Sequence, residues 1–175
     1  MDTARVRVRP ERPTDHAAVE AMVEAAFGRA AEAGLVSSLR RDAAPLVSLV
    51  AELEAAPGRP VGHVMVSPVR LESYPEIAAG GLAPVAVAPA RQRRGVGGAL
   101  VRAALEAAGT LGWRAVFVLG EPAYYGRFGF VPAAPYGLHY ESPAFDAGFQ
   151  VRELMPGVVT RWRGWVRYHG AFAGV

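Results

Sequence analysis

Arg5 to Arg9 alternates Val6 and Val8 with arginines, the period-2 pattern of a strand with one buried face. Pro13-Thr14-Asp15 reads as a helix start with Thr14 or Asp15 as N-cap. Val19, Met22, Val23, Ala26 and Phe27 follow at helical spacing and should face a core. Gly28 and Gly34 bracket a break, after which Leu35 to Arg41 forms a short second helix ended by Pro45. Val47 to Leu53 and Val61 to Val69 are β-rich runs joined by the turn Ala56-Pro57-Gly58-Arg59-Pro60, so an antiparallel hairpin is expected. A third apolar strand runs from Ile77 to Ala88. Pro84 lies inside it, and proline in a strand belongs at an edge or bulge, so an irregularity is expected at Leu82 to Pro84.

Gln92 to Leu111 carries the longest helical pattern, with Val96, Leu100, Val101, Ala104, Leu105 and Ala108 on one face. Ala115 to Leu119 is short and wholly apolar, as a buried parallel strand is. Glu121 to Phe128 reads as a helix of one or two turns with Pro122 at its first position. Beyond Phe130 the strands are short, among them Gln150 to Met155 and Trp165 to Tyr168. No internal repeat and no linker interrupt the pattern. The expectation is one α/β domain spanning residues 1–175.

Composition narrows the chemistry. The chain has no Cys, Lys or Asn, so all 19 basic side chains other than His are Arg. Without Cys there is no disulfide, thiol nucleophile or cysteine zinc site. Lacking Lys, it has neither Schiff-base chemistry nor a Walker phosphate lysine. His16, His139 and His169 are too scattered for a metal site, and none is expected. No apolar run is long enough to span a bilayer, and the N-terminus lacks the apolar core of a secretory signal. A cytoplasmic protein without a membrane partner is expected. A net charge of +3 favours anionic partners only mildly. The arginines are spread along the chain apart from one cluster at Arg91, Arg93 and Arg94.

That cluster lies in the segment Val85 to Leu100, between a strand and the longest helix. Gly95, Gly97 and Gly98 sit where the helix begins, leaving its first N–H groups open. An unobstructed helix N-terminus favours anions through those N–H groups and the helix dipole, and the arginines add charge-assisted hydrogen bonds. A diphosphate suits this chemistry. A dinucleotide fingerprint fails, because GxGxxG would need glycine at Leu100. Close packing under a solvated arginine run is the competing local explanation.

Order along the chain adds what the loop alone lacks. Gln92-Arg93-Arg94-Gly95-Val96-Gly97 matches Q/R-x-x-G-x-G/A in full, and Tyr125-Gly126-Arg127-Phe128-Gly129-Phe130 matches Y-x-x-x-G-F further on. With the hairpin, strand, loop, helix and apolar strand in this sequence, the chain resembles the GNAT superfamily of N-acetyltransferases over nearly its whole length. Gly62 to Val69, Leu119 to Phe130 and Glu153 to Gly157 are similar to its YhbS-like branch. The resemblance implies a mixed, mostly antiparallel sheet, flanked by helices and splayed between the cofactor strand and the following parallel strand.

It also implies acetyl-CoA as acyl donor, with the backbone of Val85, Ala86 and Val87 pairing with the pantetheine arm. The amides of Gln92, Arg93, Arg94, Gly95, Val96, Gly97 and Gly98 would hold the diphosphate. Val87 N–H would serve as oxyanion donor and Tyr125 as the acid for the departing sulfur, with Tyr124 as the alternative in a shifted register. Relatives often carry Asn ahead of that tyrosine; here Glu121-Pro122 stands instead, and Glu121 reads as base, orienting group or N-cap. Glu32, Glu76 and His63 are candidate bases without a preference among them. The acceptor is expected to be an amine of a small molecule or peptide. The alternatives are a non-catalytic acyl-CoA-binding or regulatory module and, more weakly, a nucleic-acid binder using Trp162-Arg163-Gly164-Trp165. Trp162 to Phe172 could pair between subunits of a homodimer.

Overall fold

A computed structural model describes residues 5–175. The helices are α1 (His16–Phe27), α2 (Ala31–Asp42), α3 (Val96–Thr110) and α4 (Pro122–Tyr125). The strands are β1 (Val6–Pro10), β2 (Val47–Leu53), β3 (Pro60–Leu71), β4 (Ala79–Val87), β5 (Ala115–Leu119), β6 (Val131–Pro132), β7 (Leu138–Tyr140), β8 (Phe149–Glu153) and β9 (Gly164–Arg167). They form a nine-stranded sheet in the order β1-β2-β3-β4-β5-β8-β6, with β9 joined to β3 and β7 beside β9. Among the described residues only the pairs β4–β5 and β7–β9 are parallel. The sheet is therefore mixed and mostly antiparallel, as expected. β9, within the segment considered for subunit pairing, bonds to β3 and β7 of its own chain.

Strand alternation sends neighbouring side chains into different layers. Leu49 and Ala51 of β2 meet Val96, Leu100, Val101 and Ala104 of α3 on one face. Val50 between them meets Val19 and Val23 of α1 and Leu35 and Leu39 of α2 on the other. A third cluster, including Phe117, Phe149 and Trp162, ties β5 and β8 to the C-terminal part. Arg9, Asp15 and Glu52, all buried, fasten β1 and β2 to the start of α1. Arg9 donates to both Asp15 oxygens, at 2.7 and 3.0 Å, and to Glu52 Oε2 at 3.1 Å. Removing one partner of such a group would leave an uncompensated buried charge.

Four local expectations change. Asp15 is the N-cap residue of α1, but its carboxylate makes no capping bond to that helix and accepts instead from Arg9 and the Arg12 N–H at the preceding 3-10 turn, Pro13–Asp15. Phe27 is 41% exposed and faces away from the core. Gly34 does not break the chain; it is an exposed interior residue of α2, which starts at Ala31. The longest helix starts at Val96, because Pro89–Arg91 is a separate 3-10 turn and Arg93 takes a left-handed backbone at φ 58°.

The expected irregularity in the third strand is present, and it shapes the molecule. β4 pairs with β5 only through Gly80↔Val116 and Gly81↔Phe117. A Cβ on Gly80 would collide with the Trp113 ring, and one on Gly81 would lie 2.6 Å from Tyr168 Cε2. Only glycine lets β4 sit this deep between its two covering layers. Beyond Gly81 the register with β3 shifts between Val64 and Val66, opposite the segment holding Pro84, which has no N–H to bond. β4 then continues along β3 to Val87 without β5 at its side.

The glycine inside α2 offers a stability test. A Cβ at Gly34 meets nothing within 4 Å, so Gly34→Ala should stabilise the protein by about 0.5–1 kcal/mol. An unchanged or lower denaturation midpoint would contradict the helical placement.

Candidate active site

Two cavities lie along the stretch of β4 that β5 leaves uncovered. The first, about 470 Å³, is lined by Val87, Gln92, Arg93, Gly95, Gly97, Gly98, Arg102, Tyr124, Arg127 and Phe128. Gly95 begins α3 with φ 83°, a backbone region that glycine enters without steric cost. The N–H groups of Val96, Gly97 and Gly98 follow in the first turn, where no carbonyl one turn earlier can accept from them. Gln92 Nε2 donates to Val87 O at 3.1 Å and so pins the loop to the end of β4.

Gly97 leaves the N-terminus open to the cavity: a Cβ there would stand 2.7 Å from the Tyr124 hydroxyl. Arg127 lies over the Tyr124 ring, 4.5 Å from its centroid, and Arg102 over Phe128 at 5.1 Å. Three guanidinium groups, of Arg93, Arg102 and Arg127, thus line the same wall as a helix N-terminus. That donor set fits a diphosphate. The sequence reading named Arg93 and missed the other two. Arg102 stands four residues after Gly98, one helical turn on, and Arg127 lies inside the Y-x-x-x-G-F motif, so both were within reach of spacing. Of the other predicted loop residues, Arg94 is exposed and does not line this cavity, and the Val96 side chain is buried in the core, leaving its N–H as its polar contribution.

The second cavity, about 310 Å³, has Val85 and Tyr125 on its wall together with Glu32, Tyr140, Tyr168 and Phe172. Val85 and Val87 therefore line one cavity each, while Ala86 between them is buried against the α1 and α2 layer. Ala88 N–H donates to Val61 O on β3 at 2.9 Å. Successive N–H groups of an extended chain point to opposite sides, so the Val87 N–H points away from β3, into the opening. The two neighbouring tyrosines separate in the same way. Tyr124 stands over the glycine loop and Tyr125 in the second cavity, with ring centroids 4.9 Å apart and planes at 84°.

Tyr125 fits because residue 120 is glycine: a Cβ there would lie 2.5 Å from Tyr125 Cε2. Burial, with a smaller contribution from Tyr124, pushes the Tyr125 hydroxyl up to about 12, so it holds its proton at neutral pH.

The remaining candidates divide. Glu121 is the N-cap of α4, accepting from Ala123 N–H at 3.3 Å. His63 is fully buried among Ser48 and Glu11, with Nε2 3.1 Å from Ser48 Oγ, and lines neither cavity. Glu76 is exposed and lines neither as well. Glu32 alone of the three considered bases reaches the second cavity. Trp162 is core, and Trp165 packs beside His139 with Arg167 over its ring at 5.4 Å, so these aromatics are occupied by packing.

Comparison with known proteins gives the same picture. Residues 45–132 match the acetyltransferase (GNAT) domain family. Over 165 residues the chain is 34% identical to the uncharacterized N-acetyltransferase YhbS of Escherichia coli K12, covering 94% of this chain and 97% of that one. The crystal structure of E. coli YhbS in complex with CoA superposes with a TM-score of 0.89 at 34% identity, over 97% of this chain and 93% of the other. A GNAT family acetyltransferase from Brucella melitensis, crystallised with acetyl-CoA, gives 0.77 at 35% identity, over 97% and 99%. Similarity this extensive in both sequence and fold leaves one assignment: the chain belongs to the GNAT acetyltransferases and is an acyltransferase by class.

Proposed function

We propose that the protein transfers an acetyl group from acetyl-CoA to a primary amine by direct attack in a ternary complex. The observation that carries this reading is the unpaired edge of β4, with an anion-binding cavity at Val87 and a tyrosine-lined cavity at Val85. The first turn of α3 and the arginines around it hold the diphosphate. The edge from Val85 to Val87 hydrogen-bonds the pantetheine arm, as a strand would. That arm leads the thioester toward Tyr125. The crystallised relatives, one with CoA and one with acetyl-CoA, support the choice of donor.

Acyl transfer needs a neutral amine, a donor for the carbonyl oxygen as it gains charge, and a proton for the departing sulfur. Val85 N–H, two residues before Val87 and facing the opening in the same way, lies at the Tyr125 cavity and takes the oxygen, in place of the Val87 N–H at the diphosphate end. The amine nitrogen bonds to the acyl carbon while the carbon–sulfur bond breaks. Tyr125 gives its proton to the sulfur and regains one from water, and the proton lost by the amine passes to solvent. A hydroxyl kept protonated by burial suits the acid role.

Two substitutions test the halves separately. Tyr125→Phe should lower kcat by about 10²-fold or more while acetyl-CoA affinity stays nearly unchanged; equal turnover in a thiol-release assay would remove Tyr125 from the chemistry. Gly97→Asp places a carboxylate in the diphosphate site and should weaken CoA binding by about tenfold or more in calorimetry. Normal binding would mean that the loop is not the phosphate site. CoA binding by the unaltered protein without thiol release on any amine would favour a non-catalytic acyl-CoA-binding module.

A further inference from the structure

The second cavity holds two polar atoms with no partner among the described residues. Glu32 is buried, its side chain 6% exposed, at the start of α2. One oxygen, Oε1, accepts from Arg29 at 2.5 Å. The other, Oε2, is buried without a hydrogen-bond partner. The Tyr168 hydroxyl, on the same cavity wall, is likewise buried and unpartnered. Burial drives the Tyr168 ionisation well above the ordinary tyrosine value, so it stays a neutral hydroxyl.

Buried polar atoms in folded proteins are nearly always satisfied, and leaving a carboxylate oxygen unpaired is costly. Arg29 does not remove that cost, because its side chain is 58% exposed and reaches only the other oxygen. The missing partner must be a donor that enters the cavity. The rest of the wall describes its body: Leu35, Leu82, Leu119 and Phe172 are apolar, and the guanidinium of Arg29, on the same wall, is already paired with Glu32 Oε1. Tyr140, Tyr168 and Phe172 stack edge to face, with centroids 5.1 Å apart in each pair, and present aromatic surface that attracts a cation.

We propose that Glu32 recognises the acceptor's ammonium group through Oε2, with Tyr168 as second partner, so that the acceptor class is a cationic primary amine on an apolar body. A ligand of the same shape without the positive charge would offer Oε2 at most a neutral donor, which sets such amines apart from the corresponding alcohols. The proposal rests on the acetyl-transfer reading for what happens to the amine, but recognition can be measured without turnover. Glu32 would be a specificity-determining residue.

The test is calorimetric titration of 2-phenylethylamine and of 2-phenylethanol, which carries a hydroxyl in place of the ammonium, into the CoA-saturated protein. The unaltered protein should bind the amine at least about tenfold more tightly than the alcohol. Glu32→Gln should lose that binding by about tenfold or more, Glu32→Asp should restore part of it, and both should keep CoA affinity and a cooperative thermal unfolding transition. In steady-state assays the same loss should appear in the acceptor KM and not in that of acetyl-CoA. Absence of amine binding, equal binding of 2-phenylethanol, or undiminished binding by Glu32→Gln would each overturn the proposal. If the unaltered protein binds the amine as described but releases no thiol with it or with any other amine, recognition by Glu32 stands and the acetyl-transfer reading falls.

Discussion

The structure turns on the hydrogen bonds that β4 and β5 do not make. Two residue pairs, at Gly80 and Gly81, hold these parallel strands together, and the rest of β4 runs on beside β3 alone. An unpaired edge inside a protein leaves polar backbone groups that need partners. Here that edge runs between two cavities, which gives a long, extended ligand a place to complete the sheet. The opening has local causes: glycines where β4 passes between Trp113 and Tyr168, then a register shift beside Pro84.

What lies at each end of this edge is chemically different. At Val87 there is a helix start cleared by Gly95 and Gly97 and three arginines, a setting for anions. Val85, at the other end, adjoins tyrosines, apolar side chains and a buried carboxylate that pairs with Arg29 through one oxygen and leaves the other unpaired. The adjacent Tyr124 and Tyr125 serve as the partition, one ring over the loop and the other in the second cavity. An anionic donor and a cationic acceptor could thus approach one point from opposite sides without competing for the same groups. On the account given, charge sorts the two ligands before chemistry begins.

Much of this was legible in the sequence, for reasons specific to each residue. The loop announced itself because glycine and arginine at a helix start have few other uses together, and Pro84 marked the break because proline cannot donate to a ladder. Phe27 was misplaced because helical spacing says which side chains share a face but not where the covering layer ends. Gly34 read as a break, yet α2 tolerates it through tertiary packing of Leu35, Val36 and Leu39. The left-handed backbone at Arg93 has no signature in its side chain, so the start of α3 came out four residues early. Glu32 could be singled out as a candidate, but its unpaired oxygen is a property of the surrounding packing, which no local pattern encodes.

Amide hydrogen exchange measured with and without CoA tests the unpaired edge most directly. The account predicts slower exchange on CoA addition in two separate segments, residues 85–87 of β4 and residues 95–98 at the start of α3. Protection that leaves both segments unchanged, or that appears only elsewhere in the chain, would contradict it.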